Sequence, residues 1–291
     1  MNSDPTQQLL KDGYTIVEDF LDDSSIASIA EKVQHVLGKL SNEHREAFKA
    51  TGSLLNLNNY PQFAELIANP KVQEVMQQIG FDSYRWLSGY LISKPPQSPP
   101  LYWHQDWWGW SHSASYSDRH FGLGFMYYLT DTRQSNGALR VIPGSHRNWH
   151  SLHDLPTAHD EDLASAKDTD HPAFQSNTDE RVIEVNVGSV VIMDSRLLHS
   201  AYANASDKER SLITLWYLPD FDRIPESFQK RFMMIYRQEN LDVDIESEKD
   251  LSPTDWPSDA HRKVAHLLPD YYGTSQPERW VRSVSKEMMV R

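Results

Sequence analysis

The stretch Gly188-Ser-Val-Val-Ile-Met-Asp-Ser-Arg-Leu-Leu-His199 decides the fold class of this chain. A glycine turn leads into an apolar run of β-branched residues, and a short loop then ends at His199. A short apolar run between turn signals is typical of a strand buried in a β-rich core. On its own, His199 is better explained as an ordinary half-buried histidine that accepts a backbone hydrogen bond.

Strand patterns recur on both sides of this stretch, and helical patterns come before them. Strands are predicted over 13–20, 86–93, 121–130, 138–142, 181–187, 189–193 and 210–218. Helical spacing of apolar residues occurs over 26–40 and 61–80, and the polar segment 146–180 is predicted to be a long loop with a short helix. This order predicts a mainly β fold with flanking helices. No linker is evident, so residues 1–291 are predicted to form a single domain.

Composition excludes several classes of function. The net charge of −13 disfavours binding to nucleic acid or to an anionic membrane surface. The chain has no cysteine, which excludes disulfide scaffolds, cysteine-ligated zinc and thiol nucleophiles. The N-terminus lacks a signal-peptide pattern, and no apolar run is long enough to span a bilayer. A cytoplasmic location is therefore expected.

The pair His104 and Asp106 carries the first chemical signal. Side chains two residues apart on a strand point to the same face, so both can reach one metal ion. A His-X-Asp pair with a distant histidine is the ligand set of the facial triad of non-haem iron(II) oxygenases, which leaves open coordination positions. The alternative is a surface or turn-capping pair, since the chain has thirteen histidines.

Arg210 begins the apolar strand pattern RSLITLWYL. A guanidinium buried there needs an anion, and a dicarboxylic cosubstrate would provide one for bidentate binding. The alternative is a structural salt bridge, for instance to Asp194 or Glu184. The segment NGALRVIPGSH (136–146) indicates a strand that ends in a tight Pro-Gly turn.

Together these segments resemble the phytanoyl-CoA dioxygenase family of iron(II)/2-oxoglutarate enzymes. The matching pieces are GYTIVEDFLD (13–22), WHQD (103–106), NGALRVIPGSH (136–146), GSVVIMDSRLLHSAYAN (188–204) and Arg210. The resemblance implies a double-stranded β-helix core, the jelly-roll or cupin-like fold. We expect a helical N-terminal buttress (1–85), the β-helix core (about 86–220) and a C-terminal extension (221–291) that the resemblance does not cover.

The resemblance also implies roles for the polar residues. His104, Asp106 and His199 would ligate Fe2+, and Arg210 would bind the distal carboxylate of 2-oxoglutarate. Related halogenases lack the carboxylate of the triad, so Asp106 favours hydroxylation or another oxidation over halogenation.

Three further positions are assigned by the same resemblance. Met126 and Tyr128 would line the cosubstrate pocket, with plain core packing as the alternative. Trp110 matches an aromatic position at the substrate entrance, with plain packing as the alternative. The aromatic run 107–116, which begins at Trp107, predicts a wall of the substrate site, and a packed structural loop is the alternative. Ala201 departs from the family, because relatives often carry a hydroxyl there that reaches the cosubstrate.

The expected activity is oxidation of a C–H bond in a small organic molecule, by hydroxylation, with release of succinate and CO2. Two alternatives are a cupin-like metal enzyme that uses no 2-oxo acid and a non-catalytic β-sandwich binding protein. Nucleic acid and membranes are not expected as partners. The sequence leaves the substrate and the oligomeric state open.

Overall fold

The computed structural model describes residues 4–155, 160–237 and 251–289. Within these ranges the α-helices are α1 (Pro5–Asp12), α2 (Asp23–Leu37), α3 (Asn42–Ala47), α4 (Ala64–Ile67), α5 (Pro70–Gln78), α6 (Glu161–Ala164), α7 (Glu226–Arg237), α8 (Ser258–Val264) and α9 (Lys286–Met289). The strands are β1 (Tyr14–Val17), β2 (Leu55–Asn56), β3 (Tyr84–Lys94), β4 (Leu123–Tyr128), β5 (Leu139–Val141), β6 (Arg181–Ile183), β7 (Val190–Asp194), β8 (His199–Ala201) and β9 (Arg210–Pro219). The sequence also contains an acidic stretch around 242–250, which lies outside the described residues.

The strands form two antiparallel sheets. The larger sheet has six strands in the order β1-β7-β4-β9-β3-β2, and the smaller has three in the order β6-β5-β8. Because side chains alternate along each strand, every second residue of the large sheet points toward the small one. These inward residues form one apolar cluster with the small sheet: Tyr14, Met126, Tyr128, Val191, Met193 and Leu212 from the large sheet, with Leu139, Val141, Ile183, Val185 and Leu197.

The opposite face of the large sheet is covered by helices. Alternate residues of the same strands, such as Phe125, Ile192 and Leu215, pack there in a second and larger cluster. That cluster includes Val33 of α2 and Val75 of α5. Asp22 caps α2 by accepting a 2.7 Å hydrogen bond from the amide of Ser25. The helices thus support the sheet from behind and leave its inner face for the site.

The observed strands are mostly shorter than the sequence patterns. The first strand ends at Val17, because Asp19 adopts a positive φ of 51° and turns the chain toward α2. The segment 146–180 is mainly loop, as predicted, with α6 and two short 3-10 turns in its described part. It is anchored at Phe174, which packs on Tyr102 in a small cluster of its own.

The C-terminal extension (221–291), which the family resemblance does not cover, packs against the start of the core. Phe228 and Phe232 of α7 form an aromatic cluster with Trp107 and Phe121. No helix in the described ranges is both long enough and apolar enough to cross a lipid bilayer. The division of the chain into buttress, core and extension stays a prediction.

Candidate active site

Two distant stretches of chain meet at the rim of the sheets. The backbones of His104 and His199 exchange both of their hydrogen bonds, each 2.9 Å long, in an isolated antiparallel bridge. The amide of Asp106 donates to the carbonyl of Ser195 at 2.8 Å. Backbone pairing therefore fixes the three side chains relative to one another.

The three side chains converge on one small volume. One ligand atom from each of His104, Asp106 and His199 lies within 4.8 Å of the other two. Each Nε2 is 3.7 Å from one carboxylate oxygen of Asp106, and the two imidazole centroids are 4.0 Å apart. A separation of 3.7 Å is too long for a hydrogen bond. It suits atoms that share one metal ion, and no other group of histidine, aspartate or glutamate ligands is found in the described ranges.

Hydrogen bonds set the tautomer of both histidines. Nδ1 of His104 lies 3.0 Å from the carbonyl oxygen of Tyr102, and Nδ1 of His199 lies 3.0 Å from that of Leu197. A carbonyl can only accept, so Nδ1 carries the proton in each ring and Nε2 presents a lone pair to the cluster. This arrangement is the one that orients histidine as a metal ligand.

The carboxylate of Asp106 is incompletely hydrogen-bonded within the described part of the chain. Burial raises its pKa, and the charge of His199 opposes that rise. Its Oδ2 is buried without a hydrogen-bond partner in the described part of the chain. A buried carboxylate oxygen in this state is costly unless a cation binds it. The donor set and the unpartnered oxygen both fit a divalent metal.

Arg210 lies on the inner face of β9, opposite Lys94 of β3. It is 3% exposed, and its Nη2 donates to the carbonyl of Gly137 at 2.9 Å. Its Nε and Nη1 have no partner, and it forms no salt bridge within the described residues. Burial lowers its pKa. The proposed structural partners are engaged elsewhere: Asp194 pairs with Arg196, and Glu184 accepts from the amide of Gln134.

Gly137 makes room for this arrangement. Its φ of 94° is one that side chains rarely adopt, and an added Cβ would lie 3.3 Å from both Arg210 Nη2 and Lys94 Cδ. Both cationic side chains therefore approach the same point of the backbone. The neighbouring Lys94 does not stabilise the charge of Arg210, because two buried like charges repel each other.

Two residues on the same strand were missed by the sequence analysis. Thr214 Oγ1 and Trp216 Nε1 are buried polar atoms without a hydrogen-bond partner in the described chain. They follow Arg210 at alternating positions, so all three point inward from β9. Trp216 lies close enough to Asp106 to lower the pKa of that carboxyl, although no hydrogen bond of normal geometry joins them. Period two along RSLITLWYL was the signal that could have identified both.

The remaining cosubstrate candidates lie on the same inner face. Met126 pairs with Thr214 across β4 and β9, and Tyr128 is buried beside Arg210. Burial raises the pKa of Tyr128 to about 12, and the charge of Arg210 opposes the rise. Ala201 is buried on β8, two residues after His199. The roles of Met126 and Tyr128 in cosubstrate binding stay predictions.

Trp107 and Trp110 are each only 3% exposed, in the aromatic cluster with α7. Their indole nitrogens are satisfied inside the protein: Trp107 donates to Ser115 Oγ at 2.9 Å and Trp110 to Gln105 Oε1 at 2.8 Å. This placement matches the packed-loop alternative more closely than direct contact with a ligand. Their role in substrate binding stays a prediction.

Comparison with known proteins identifies a family of dioxygenases, which agrees with the metal-ligand geometry of the site. The family model for phytanoyl-CoA dioxygenase (PhyH) matches residues 9–212. A probable alpha-ketoglutarate-dependent hypophosphite dioxygenase of Stutzerimonas stutzeri is 25% identical over 237 residues, which are 75% of this chain and 78% of that protein.

Two solved structures establish the fold. The carbocyclase SnoK from nogalamycin biosynthesis, a non-haem alpha-ketoglutarate-dependent enzyme, aligns with a TM-score of 0.57 at 20% identity, over 75% of this chain and 84% of that one. EctD from S. alaskensis, with 2-oxoglutarate and 5-hydroxyectoine, aligns with a TM-score of 0.53 at 20% identity, over 77% and 80%. The predicted double-stranded β-helix is confirmed. With a family match over more than half of its length, the chain belongs to the phytanoyl-CoA dioxygenase (PhyH) family.

Proposed function

We propose that the protein is an iron(II)- and 2-oxoglutarate-dependent dioxygenase that hydroxylates a C–H bond of a small organic molecule, with release of succinate and CO2. The observation that carries this proposal is Arg210, a buried guanidinium with two unpartnered nitrogens on the sheet face that leads to the His-Asp-His cluster. A dicarboxylate that chelates a metal at one end and binds an arginine at the other would satisfy both.

In this proposal His104, Asp106 and His199 would hold iron through two imidazole nitrogens and one carboxylate oxygen. The Nδ1 hydrogen bonds keep both imidazoles in the tautomer and orientation that a metal needs. The bound iron supplies the oxidising chemistry, while the protein supplies orientation and a site shielded from water.

The other end of the cosubstrate would lie between the sheets. Arg210 offers Nε and Nη1 to the distal carboxylate as a planar fork. Thr214 offers a hydroxyl from the same strand, which compensates for the missing hydroxyl at Ala201. Met126 and Tyr128 would form the apolar wall beside them. Trp107 and Trp110 would support the entrance from behind, through the loop they hold in place.

The two alternatives from the sequence are less well supported. A metal enzyme that uses no 2-oxo acid has no need for an unpartnered arginine beside the metal cluster. A non-catalytic sandwich has no need for three ligand atoms within 4.8 Å. Membership of a dioxygenase family and the small-molecule names of the relatives, hypophosphite and ectoine, agree with the proposal.

The test is succinate formation from 2-oxoglutarate with iron(II), scanned across a metabolite library under 18O2. We expect one class of metabolite to stimulate succinate release and to gain one labelled oxygen atom. Stimulated succinate release without label in the product would instead indicate an oxidation such as ring closure. Asp106→Ala should lose iron binding and turnover by at least about a hundredfold, because second-sphere changes alone cost that much at metal sites.

Asp170→Ala removes an exposed carboxylate from the described part of the 146–180 segment and is the matched control. It should keep both iron binding and turnover. Retained iron-dependent turnover in Asp106→Ala would remove this residue from the ligand set and would contradict the proposed function.

A further inference from the structure

The C-terminal extension returns to the active site along residues 280–282. The amide of Val281 donates to the carbonyl of Trp108 at 2.6 Å, and the amide of Trp110 donates to the carbonyl of Val281 at 3.2 Å. Gln105 Nε2 also donates to the carbonyl of Arg282 at 3.3 Å. Arg282 is therefore fixed by backbone bonds beside the stretch that begins with His104 and Asp106.

Exposure alternates along that stretch. His104, Asp106 and Trp108 are partly exposed, while the residues between them, Gln105 and Trp107, are buried. Trp108 thus shares partial exposure with the two metal-ligand candidates. Trp108 was not among the aromatic residues that the sequence analysis selected in this run.

The guanidinium of Arg282 lies over this tryptophan. Its Cζ is 3.7 Å from the centroid of the Trp108 ring, the contact of a stacked guanidinium. Stacking on the indole restrains the guanidinium, and a planar guanidinium is a group that binds oxyanions well. The guanidinium of Arg282 is thus held over the partly exposed Trp108, two residues along the chain from Asp106.

Arg282 and the metal-ligand candidate affect each other electrostatically. Burial lowers the pKa of Arg282, and the nearby Tyr102 and Asp106 oppose this shift. The charge of Arg282 in turn lowers the pKa of Asp106. Arg282 is therefore near the reacting centre, although it belongs to a segment outside the family match.

We propose that Arg282 is a substrate-binding residue and that the primary substrate carries a small oxyanionic group, a carboxylate or a phosphorus oxyanion. This inference rests on the proposed function. The chain carries a net charge of −13, which repels anions at long range, so an anionic substrate needs a fixed cation at the site. Arg210 is committed to the cosubstrate on the inner face of β9, and Arg282 lies instead at the partly exposed stretch 104–108.

The experiment is calorimetric titration, under nitrogen, of protein loaded with iron(II) and 2-oxoglutarate. The probes are matched pairs of short linear carboxylates and their amides, with phosphite and hypophosphite as separate arms. We expect at least one oxyanion to bind about tenfold or more tightly than its neutral counterpart, as for a charge-assisted hydrogen bond. Arg282→Gln should remove that preference, and Arg282→Lys should keep part of it.

Arg279→Gln is the matched control, because it removes the same charge from an exposed position of the same segment. It should leave the preference unchanged, so that a change in net charge alone is excluded. Unfolding temperatures of all variants separate loss of binding from loss of folding.

Three outcomes would overturn the inference while iron and 2-oxoglutarate still bind: no oxyanion binds, neutral and anionic probes bind alike, or the preference survives Arg282→Gln. Failure of iron or 2-oxoglutarate to bind the unaltered protein would instead contradict the proposed function. The carboxylate and phosphorus arms decide which oxyanion the site accepts.

Discussion

Arg196 and Arg210 are both buried, at 1% and 3% exposure, yet their surroundings differ completely. All five N–H donors of Arg196 are used: two bonds go to the carboxylate of Asp194, and three go to the carbonyls of Ser115, Ser117 and Arg119. Within the described residues Arg210 makes one hydrogen bond, to Gly137, and its Nε and Nη1 have no partner.

The difference separates a structural arginine from a ligand-binding one. Buried polar groups in folded proteins are almost always satisfied, so an exception calls for an explanation. Arg196 needs no ligand, because it ties the loop 115–119 to the turn that leads to His199. Arg210 is complete only when an anion is bound.

The two aspartates differ in the same way. Burial by itself would raise the pKa of Asp194, but the charges and hydrogen bonds of Arg196 and His120 hold it well below its ordinary value. Around Asp106 the charges of His199 and Arg282 oppose the effect of burial without outweighing it, so its pKa is raised. One carboxylate is satisfied by protein groups, and the other is available to a metal.

The largest effect on stability is expected from Arg196→Met. The change leaves the buried carboxylate of Asp194 with His120 as its remaining side-chain partner and removes the side-chain donor from three carbonyls. The free energy of unfolding should fall by about 3–5 kcal/mol. Denaturant unfolding measures this change, and Arg262→Met, at an exposed position of α8, should cost no more than about 0.5 kcal/mol.

The double variant Arg196→Met/Asp194→Asn sharpens this prediction. Most of the cost comes from the stranded charge, so neutralising Asp194 should recover part of the lost stability. If the single variant is as stable as the wild type, Arg196 does not stabilise the fold. The two arginines would then not differ in their contribution to the free energy of unfolding.

Arg210→Met should have the opposite effect on stability and a large effect on binding. It removes a buried cation that has no anion and that lies beside Lys94, so the free protein should unfold at the same temperature or a higher one. The affinity for 2-oxoglutarate, measured by calorimetry with iron(II) under nitrogen, should fall by roughly thirtyfold or more.

Iron affinity provides the internal control for this variant. It should change little, because Arg210 has no direct role in holding the metal. Arg210→Lys keeps the charge without the planar fork and should bind 2-oxoglutarate with intermediate affinity. An equal loss of iron and 2-oxoglutarate binding, or a loss of stability as large as that of Arg196→Met, would make Arg210 a structural residue.

The sequence was sufficient for the parts of the site that lie in short, patterned segments. The strand that precedes His199 and the position of Arg210 follow from strand patterns and turn signals. The expected strand through His104 and Asp106 is absent: His104 forms an isolated bridge with His199 and Asp106 lies in a bend, so backbone pairing with the stretch 195–199 brings the two side chains together. The family resemblance implies the roles of these residues, which stay predictions.

What the sequence could not provide depends on contacts between distant segments. The sequence left Trp107 and Trp110 open between a substrate wall and a packed loop, and only the structure shows that they share an aromatic cluster with α7 of the C-terminal extension. Arg282 gave no signal, because only its pairing with residues 105–110 brings it near Asp106. Such contacts depend on tertiary packing that no periodicity encodes.

The smallest predicted effect concerns Thr214, whose buried hydroxyl has no partner in the described chain. Thr214→Val removes that hydroxyl and keeps the shape, so the free protein should be as stable as the wild type or slightly more stable. Affinity for 2-oxoglutarate should fall by roughly two- to tenfold, the value of one hydrogen bond. Thr132→Val is the matched control, since Thr132 donates a 3.0 Å bond to the carbonyl of Thr130. It should lose stability and leave 2-oxoglutarate affinity unchanged.

The test becomes specific when a hydroxyl is restored elsewhere. The family resemblance implies a hydroxyl at the position of Ala201, on β8, two residues after His199. If Thr214 compensates for its absence, Ala201→Ser in the Thr214→Val background should recover most of the affinity for 2-oxoglutarate, measured by the same calorimetry. Failure of this rescue, with the fold intact, would mean that the two positions do not reach the same ligand. The groups that bind 2-oxoglutarate would then be Arg210 and the metal cluster, without the other inward residues of β9.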